Sequence, residues 1–446
     1  MQTLRVRRYM IQSLRTGSWL TPERLRTYPL ILLVGLTLAL AFLVATKEGL
    51  MDRFDRPLGT DFSQVWTAGR EVLAGNPEMA YDNPAHAQQQ REIFGSKTQF
   101  YGWHYPPFFL GLAAGRALLP YLLALLVWQA STLALYLVAV RQILLPPDRA
   151  LPGRSFGPAG LDSLARSHGG KSALEVRGPV KWLIPALAFP AVFVNIGHGH
   201  NGFLTAALLA GGLLFLDKKP WLAGVLLGLL AYKPQFALVL PVALLAGGYW
   251  RSLLSAGGTV ALMVAASLAA WGTAIWHGFF ASLAFTREVV LEQGSTGFEK
   301  IQTVFAAVRL VGGTIELAYA AQTLVTLAVM AATGWLWWSK ADFRLKAAAL
   351  MVATMLTTPY ALDYDMMVLG PALAFLVAHG LERGFAPYEK SLLAGVWLVP
   401  LLARATGGAA HLPLGLVMML ALFGLVIVRA QAQRRNLAGE RQLAIA

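Results

Sequence analysis

The chain has 446 residues, of which 56% are hydrophobic and 13% are charged, against about 25% charged residues in a typical soluble domain. The net charge is +14, but the basic residues stand in short segments that flank apolar runs, as in polytopic membrane proteins. These features argue against a soluble enzyme and a nucleic-acid-binding protein, and the absence of cysteine excludes disulfides and thiolate chemistry. We expect an all-α, polytopic helical membrane protein.

The first apolar run, Tyr28–Thr46, follows a basic N-terminal segment. It is too long for the core of a signal peptide, so it predicts an uncleaved first span with the N-terminus in the cytoplasm. The following polar stretch, residues 47–104, is then predicted to be extracytoplasmic. Because it is the longest polar interval between two apolar runs, we expect it to be the catalytic loop.

Two helices are predicted inside this loop. Apolar residues recur at helical spacing over residues 62–73, and Asp61 stands where an N-cap would. This segment is predicted to lie on the membrane surface with Phe62 and Trp66 as anchors. The motif Asp82-Asn83-Pro84 predicts the start of a second helix.

The next apolar stretch, residues 105–145, is interrupted at Leu119-Pro120. If both halves span the membrane, the basic segment 146–181 lies outside; if the stretch crosses once, it lies inside. The first half is short for a bilayer core that is about 30 Å thick. The composition of residues 146–181 predicts a cytoplasmic, partly disordered loop.

Ten later apolar runs bring the expected total to about 12 spans in one transmembrane domain, residues 1–446. They are Trp182–Asn195, Asn201–Leu216, Trp221–Ala231, Phe236–Gly248, Leu253–Trp271, Ile315–Trp338, Leu345–Thr357, Met366–Val377, Ser391–Ala403 and Pro413–Val428. By this alternation, polar residues from six separated segments fall on the same outer face. They are Asp61, His104, His198, His200, Lys233, Arg287, Glu288, Lys300, Asp363, Tyr364 and Asp365.

An ionisable group next to lipid is costly and therefore indicates a function. Asp61 is a candidate general base, which would take a proton from an attacking hydroxyl. It could instead be a helix cap or a solvated loop carboxylate, and Asp52 and Asp55 are alternative acids in the same loop.

Other polar residues on this face also admit two interpretations. Lys233 suits a phosphate group, but a lysine between apolar runs can also extend its ammonium to the membrane interface. The pair His198 and His200 could bind phosphate or sugar, ligate a metal or form a structural turn. Asp365 enters an apolar run, so it needs a partner such as Lys233 or Arg287.

Several short motifs, taken in order, resemble the GT-C membrane glycosyltransferases. They are Asp61 followed by Tyr81, Tyr105-Pro106-Pro107, the Gly197–Asn201 turn, Lys233-Pro234 and the Pro359–Asp365 turn. Within GT-C enzymes the chain resembles glycosyltransferase family 87, whose known members are polyprenyl-phosphate-mannose-dependent α-mannosyltransferases. It departs from that pattern in two places. Histidine replaces glutamine in the Gly197–Asn201 turn, and Tyr364 and Asp365 stand where the mannosyltransferases carry histidine.

The resemblance implies a GT-C-like fold and an inner-membrane enzyme whose active site faces the extracytoplasmic side. It implies inverting transfer of a hexose, mannose by preference, from a polyprenyl-phosphate sugar to a glycan or glycolipid acceptor of the cell envelope. Asp61 would be the base, and neither a cofactor nor a metal is expected. The donor phosphate would bind to Lys233, His198, His200 and Arg287, and the sugar or acceptor to His104, Tyr105, Asp363, Tyr364 and Asp365.

A different class of function is a transporter or flippase of a lipid-linked or anionic solute. Such proteins place charged residues at broken helices near mid-membrane. Here the charges gather at one predicted face, which favours the enzyme.

Overall fold

The structure, a computed structural model, describes residues 2–145 and 182–445. The predicted cytoplasmic loop 146–181 lies outside the described residues. The first half of the chain contains helices α1 (Gln2–Thr16), α2 (Pro22–Ala45), α3 (Thr60–Leu73), α4 (Asn83–Phe94), α5 (Phe109–Ala117) and α6 (Tyr121–Leu144), with a 3-10 helix at Pro77–Tyr81. In the described ranges no β-strand forms, and three isolated β-bridges occur.

The second half begins with α7 (Leu183–Leu187), α8 (Pro190–His198), α9 (Gly202–Phe215), α10 (Pro220–Gly228), α11 (Leu240–Ala246), α12 (Trp250–Trp271) and α13 (Ala274–Phe285). It continues with α14 (Val304–Leu310), α15 (Ile315–Trp338), α16 (Phe343–Leu356), α17 (Leu369–Arg383), α18 (Glu389–Ala410) and α19 (Leu414–Ile445). Short 3-10 helices at Leu229–Tyr232, Pro234–Phe236, Phe298–Lys300 and Asp363–Val368, and a π-helix at Thr286–Glu292, join these elements.

Within residues 2–145 and 182–445, seven helical segments are long and apolar enough to cross a membrane. They are Pro22–Ala45, Tyr121–Leu144, Trp250–Trp271, Ile315–Trp338, Asp363–Arg383, Glu389–Ala410 and Leu414–Arg435. Three shorter apolar segments accompany them: Gly202–Phe215, Pro220–Tyr232 and Pro234–Ala246. The all-helical membrane architecture is therefore confirmed, and the count of 12 spans is not.

Prolines account for much of this shortening. The predicted span Trp182–Asn195 breaks at Pro190, which has no N–H to continue the helix and begins α8 instead. Pro120 likewise separates α5 from α6. With nine residues, α5 is roughly 14 Å long, which is too short to cross a bilayer core of about 30 Å.

The core of the molecule is built around α16, whose residues 347–356 are buried on all sides. Helix α16 packs against α17, α15 and α19, and α17 in turn packs against α6. Peripheral helices α2, α12 and α15 direct large apolar side chains outward, for example Leu38, Leu262 and Leu324. Outward apolar surface of this kind suits a helix that faces lipid.

The first polar loop is packed onto these helices. Helix α3 packs against α5, and the indole N–H of Trp66 donates to the carbonyl of Leu119 at 3.0 Å. The hydroxyl of Tyr121 donates to the carbonyl of Leu58 at 2.6 Å. Phe62 is completely buried, so its predicted role as a membrane anchor is wrong. The apolar face of α3 meets protein because α5 and the ring of Tyr121 cover it.

The second predicted loop helix is confirmed in position and start. Helix α4 begins at Asn83, with Pro84 in its first turn. The Asp82 side chain accepts from the N–H of Ala85 at 3.1 Å, which satisfies one of the free donors of the first turn.

Candidate functional site

Asp61 lies in the first turn of α3, and it is not the N-cap. The N-cap is Gly59, whose φ of 70° is left-handed, and no side chain caps this helix end. The Asp61 side chain is 12% exposed. Among the described residues, no hydrogen bond reaches its carboxylate, and the predicted capping role is therefore wrong. A carboxylate that is mostly buried and accepts no hydrogen bond from the protein is available to a ligand, which is typical of a functional group rather than a structural one.

Two glycine turns bring Asp61 to its neighbours. Gly199 ends α8 with a φ of 62°, and a Cβ placed on it would lie 3.1 Å from the Cα of Gly59 and 2.7 Å from the Cβ of Phe62. The turn between α8 and α9 therefore touches the start of α3 directly. Only glycine combines this left-handed conformation with so close an approach.

His198 is the nearest ionisable neighbour of Asp61. Its Nδ1 lies 2.9 Å from the hydroxyl oxygen of Thr60 and 3.6 Å from Oδ2 of Asp61. Burial lowers the pKa of His198 to about 4, and the positive charge of Lys300 contributes to this shift. The imidazole is therefore neutral at pH 7, and its contact with Asp61 is not an ion pair.

His200 and Tyr364 form the centre of a polar cluster that also contains Asp61, His198, Lys233 and Asp365. Their rings stack with centroids 3.6 Å apart, and the ring of His198 meets the edge of Tyr364 at 5.5 Å. Nε2 of His200 lies 3.3 Å from the hydroxyl of Tyr105, which also accepts from the amide of Asn201 at 2.9 Å. In the described part of the chain, His200 Nδ1 and Asn201 Oδ1 are buried without a partner. These two atoms could contact a substrate.

Lys233 forms a buried ion pair with Asp365. The ammonium lies 2.5 Å from Oδ1 of Asp365, and the two side chains are 5% and 2% exposed. The other carboxylate oxygen accepts from the N–H of Leu362 at 3.0 Å. Lys233 is thus the predicted partner of Asp365, and its ammonium does not extend to an interface.

A short extended segment holds Lys300 against the Pro359–Asp365 turn. Ile301 bridges Leu362, and the N–H of Gln302 donates to the carbonyl of Ala361 at 2.8 Å. The ammonium groups of Lys233 and Lys300 lie 5.5 Å and 5.6 Å from the centre of the Tyr364 ring. Two ammonium groups therefore lie near this aromatic side chain, and that of Lys233 is paired with Asp365.

The charges of this cluster act on Asp61. Burial raises the pKa of its carboxyl, while the positive charges of Lys300 and Lys233 partly oppose that shift. Asp363 is also buried, and its carboxylate oxygen accepts from the N–H of Tyr364 at 2.9 Å.

Two of the predicted site residues stand apart. Arg287 is 66% exposed and pairs with Glu292 at 3.5 Å, so the structure does not bring it to the cluster. His104 lies at the edge: its Nδ1 is 2.8 Å from the Thr286 hydroxyl oxygen, and its ring is 6.5 Å from that of Tyr360. Burial lowers the pKa of His104 to about 4. In the portion that the structure describes, no group of three or more potential metal ligands forms.

Several polar residues of the site were not singled out from the sequence. The amide of Gln129 on α6 donates to the carbonyl of His200 at 3.1 Å and accepts from the amide of Asn195 at 3.3 Å. Asn195 in turn accepts from the N–H of Gly202 at 2.8 Å. A glutamine inside an apolar helix is the signal that could have identified this network, because an amide in lipid needs partners.

The middle of the chain matches a known family. The family model of glycosyltransferase family 87 matches residues 103–359, which is more than half of the chain. The match contains the His198–Asn201 turn, Lys233 and Lys300, whereas Asp61 and Asp365 lie outside it. No curated protein and no solved structure gave a match. The chain therefore belongs to glycosyltransferase family 87, a family of membrane glycosyltransferases.

Proposed function

We propose that this membrane glycosyltransferase transfers a hexose, which we take to be mannose, from a polyprenyl-phosphate sugar to a glycan or glycolipid acceptor, with inversion and with Asp61 as general base. The observation that carries the proposal is the state of Asp61. Its carboxylate is mostly buried, does not cap its helix, lies 3.6 Å from His198 and is influenced by the positive charges of Lys300 and Lys233. A carboxyl with a raised pKa is a stronger base once it is ionised, which suits proton transfer near neutral pH.

The chemical step uses one base and one leaving group. The acceptor hydroxyl oxygen attacks the anomeric carbon and forms the new glycosidic bond while its proton passes to the Asp61 carboxylate. The bond between the anomeric carbon and the phosphate oxygen breaks, and the polyprenyl phosphate leaves with the electron pair. Because the attack comes from the face opposite the phosphate, the anomeric configuration inverts.

The leaving phosphate needs positive charge and hydrogen-bond donors as its own negative charge develops. Lys233, His198 and His200 are the proposed phosphate-side residues, and Lys300 adds a second ammonium beside Tyr364. The proposed sugar and acceptor contacts are Tyr105, Asp363, Tyr364 and Asp365, which lie in or beside the cluster, and His104, which lies at its edge. Arg287 has no part in this proposal, because it pairs with Glu292 at the surface.

The proposed location is the inner membrane, with the site on the extracytoplasmic side. The basic N-terminal flank of α2 and the exposed turn Asp217-Lys218-Lys219 support this orientation. Cysteines placed singly at Asn76 and Lys218 of this cysteine-free chain should react oppositely with an impermeant reagent, Asn76→Cys from outside and Lys218→Cys after permeabilisation. Reaction of Lys218→Cys from outside would contradict the orientation.

The donor class is tested with purified protein in detergent or nanodiscs. Polyprenyl-phosphate mannose, polyprenyl-phosphate glucose and nucleotide sugars are supplied separately with an extract of envelope glycolipids, and labelled products are separated. Transfer from a polyprenyl-phosphate sugar, and none from a nucleotide sugar, is expected. Transfer from nucleotide sugars would contradict the donor class. Movement of lipid-linked sugar across a vesicle bilayer without transfer would favour the transporter.

A further inference from the structure

The two lysines beside Tyr364 are not equivalent. Lys233 is held by Asp365 at 2.5 Å, and both side chains are almost fully buried. An anion that approached this ammonium would meet the negative charge of Asp365 as well. The pair carries no net charge, so it offers little to a phosphate group.

Lys300 has no such partner. Among the described residues, no carboxylate lies within 4.0 Å of its ammonium and no hydrogen bond is formed by it, although it lies only 5.6 Å from the centre of the Tyr364 ring. Its side chain is half-buried, so a ligand can reach it. The carboxylates of Asp61 and Asp363 lie near enough to interact with its charge, but neither contacts the ammonium, so its N–H donors stay available to an anion, unlike those held by Asp365 on Lys233.

The backbone around Lys300 holds this ammonium in place. Gly297, with a φ of 85°, starts the 3-10 helix Phe298–Lys300, and the bridge between Ile301 and Leu362 follows at once. The Thr303 hydroxyl donates to the carbonyl of Pro359 at 3.0 Å. The segment is therefore fixed to the same turn that carries Tyr364.

Contacts lead from Lys300 to the proposed base. The Tyr364 ring contacts the ammonium of Lys300 and also the ring of His198, at 5.5 Å between the two ring centroids. His198 lies 3.6 Å from Asp61. A phosphate bound to Lys300 would therefore lie beside the stacked rings of Tyr364 and His200. The carboxylate of Asp61 would lie at the opposite end of this aromatic surface, next to His198.

We propose that Lys300 binds the donor phosphate directly, and that Lys233 holds the Pro359–Asp365 turn through its ion pair with Asp365. This inference rests on the proposed function, since it assumes a lipid-phosphate donor. It differs from that proposal by assigning the phosphate contact to the loop before α14 and a positioning role to Lys233.

Binding of two lipids that differ only in the phosphate tests the assignment. Purified protein in nanodiscs is titrated with fluorescent polyprenyl phosphate and with the corresponding polyprenol, and inorganic phosphate is added as a competitor. The wild type should bind the phosphate lipid at least about 10-fold more tightly than the alcohol, as expected for a charge-assisted hydrogen bond. Inorganic phosphate should compete only at millimolar concentration.

Variants then locate the contact. Lys300→Met should weaken polyprenyl phosphate binding about 10- to 100-fold and leave polyprenol binding unchanged, whereas Lys300→Arg should retain most of the affinity. Lys97→Met is the matched control, because Lys97 is 76% exposed and pairs with Asp55 in the first loop. Thermal unfolding of each variant shows that it remains folded.

Each contrary result has a separate meaning. If the wild type discriminates but Lys300→Met binds the phosphate lipid as tightly as it does, the assignment to Lys300 is overturned and the donor class stands. If the wild type does not discriminate, or if inorganic phosphate competes as well as the lipid, the lipid-phosphate donor is overturned and this inference with it.

Discussion

The buried ion pair between Lys233 and Asp365 gives a stability prediction with a defined size. Asp365→Asn keeps the shape of the side chain and removes its charge, so the ammonium of Lys233 stays buried without a counter-ion. Loss of one partner of a buried pair costs about 3–5 kcal/mol. For a chain of this length unfolding as one unit, each kcal/mol corresponds to roughly 1 °C, so the unfolding temperature should fall by about 3–5 °C.

A second substitution should recover most of the lost stability. Lys233→Met in the Asp365→Asn background removes the orphaned charge, while the new amide oxygen at position 365 can still accept from the N–H of Leu362. Replacement of both charges of a buried pair is often neutral. The coupling free energy between the two substitutions should therefore be several kcal/mol, which is larger than that of most surface pairs.

The chain contains a matched control for this experiment. Arg344 and Glu382 lie at the same separation, 2.5 Å, but their side chains are 20% and 41% exposed. Glu382→Gln should change stability by less than about 1 kcal/mol, because water screens the pair. Thermal unfolding followed by tryptophan fluorescence compares the variants in one detergent. If Asp365→Asn unfolds as the wild type does, Lys233 is not buried as the structure describes.

Two further predictions concern the approach of α8 to α3 and the pH dependence of transfer. Gly199→Ala should lower both the unfolding temperature and the rate of transfer, since its φ is 62° and the new Cβ would collide with Phe62. Gly197→Ala is the control, because a Cβ there meets open space and should change neither quantity. Equal effects of the two variants would contradict the close approach of α8 to α3. The rate of transfer should fall as the pH drops through the pKa of Asp61, because the base must be ionised. Lys300→Met should move this acid limit of activity to higher pH, since the lysine favours the ionised carboxyl. If the residual activity of the variant shows the same acid limit as the wild type, Lys300 and Asp61 are not close.

The sequence predicted long helices more accurately than short ones. The span Ile315–Trp338 is confirmed in both bounds, because Thr314 caps its start and no proline interrupts the helix. Hydropathy could not distinguish a span from a buried segment such as α5, where Pro120 ends the run early. It also could not show that the apolar face of α3 meets protein, since helical spacing alone does not identify what covers a face.

The sequence also predicted only some of the site residues, because a costly position does not show which groups the fold brings together. Costly ionisable residues near lipid identified Asp61, His198 and Asp365, and the structure brings all three into one cluster. The same criterion also selected Arg287, which is solvated at the surface. The sequence pattern gives Lys300 no specific role, because its position depends on the bridge between Ile301 and Leu362, which are far apart in sequence.

The central claim is that the Asp61 carboxylate accepts the proton of the acceptor, and one substitution tests it most directly. Asp61→Asn keeps the size of the side chain and removes the base, so stability should be unchanged or slightly higher, because burial of the ionised form is unfavourable. Asp52→Asn and Asp55→Asn are the controls, since these acids lie in the same loop.

The measurement is the rate of transfer from polyprenyl-phosphate sugar to acceptor by the three purified, folded variants. Asp61→Asn should lower the rate by about 100-fold or more, and the two controls should keep wild-type rates. If Asp61→Asn keeps the wild-type rate while Asp52→Asn or Asp55→Asn abolishes transfer, the base is a different acid. If all three variants are fully active, the loop-base mechanism itself is contradicted.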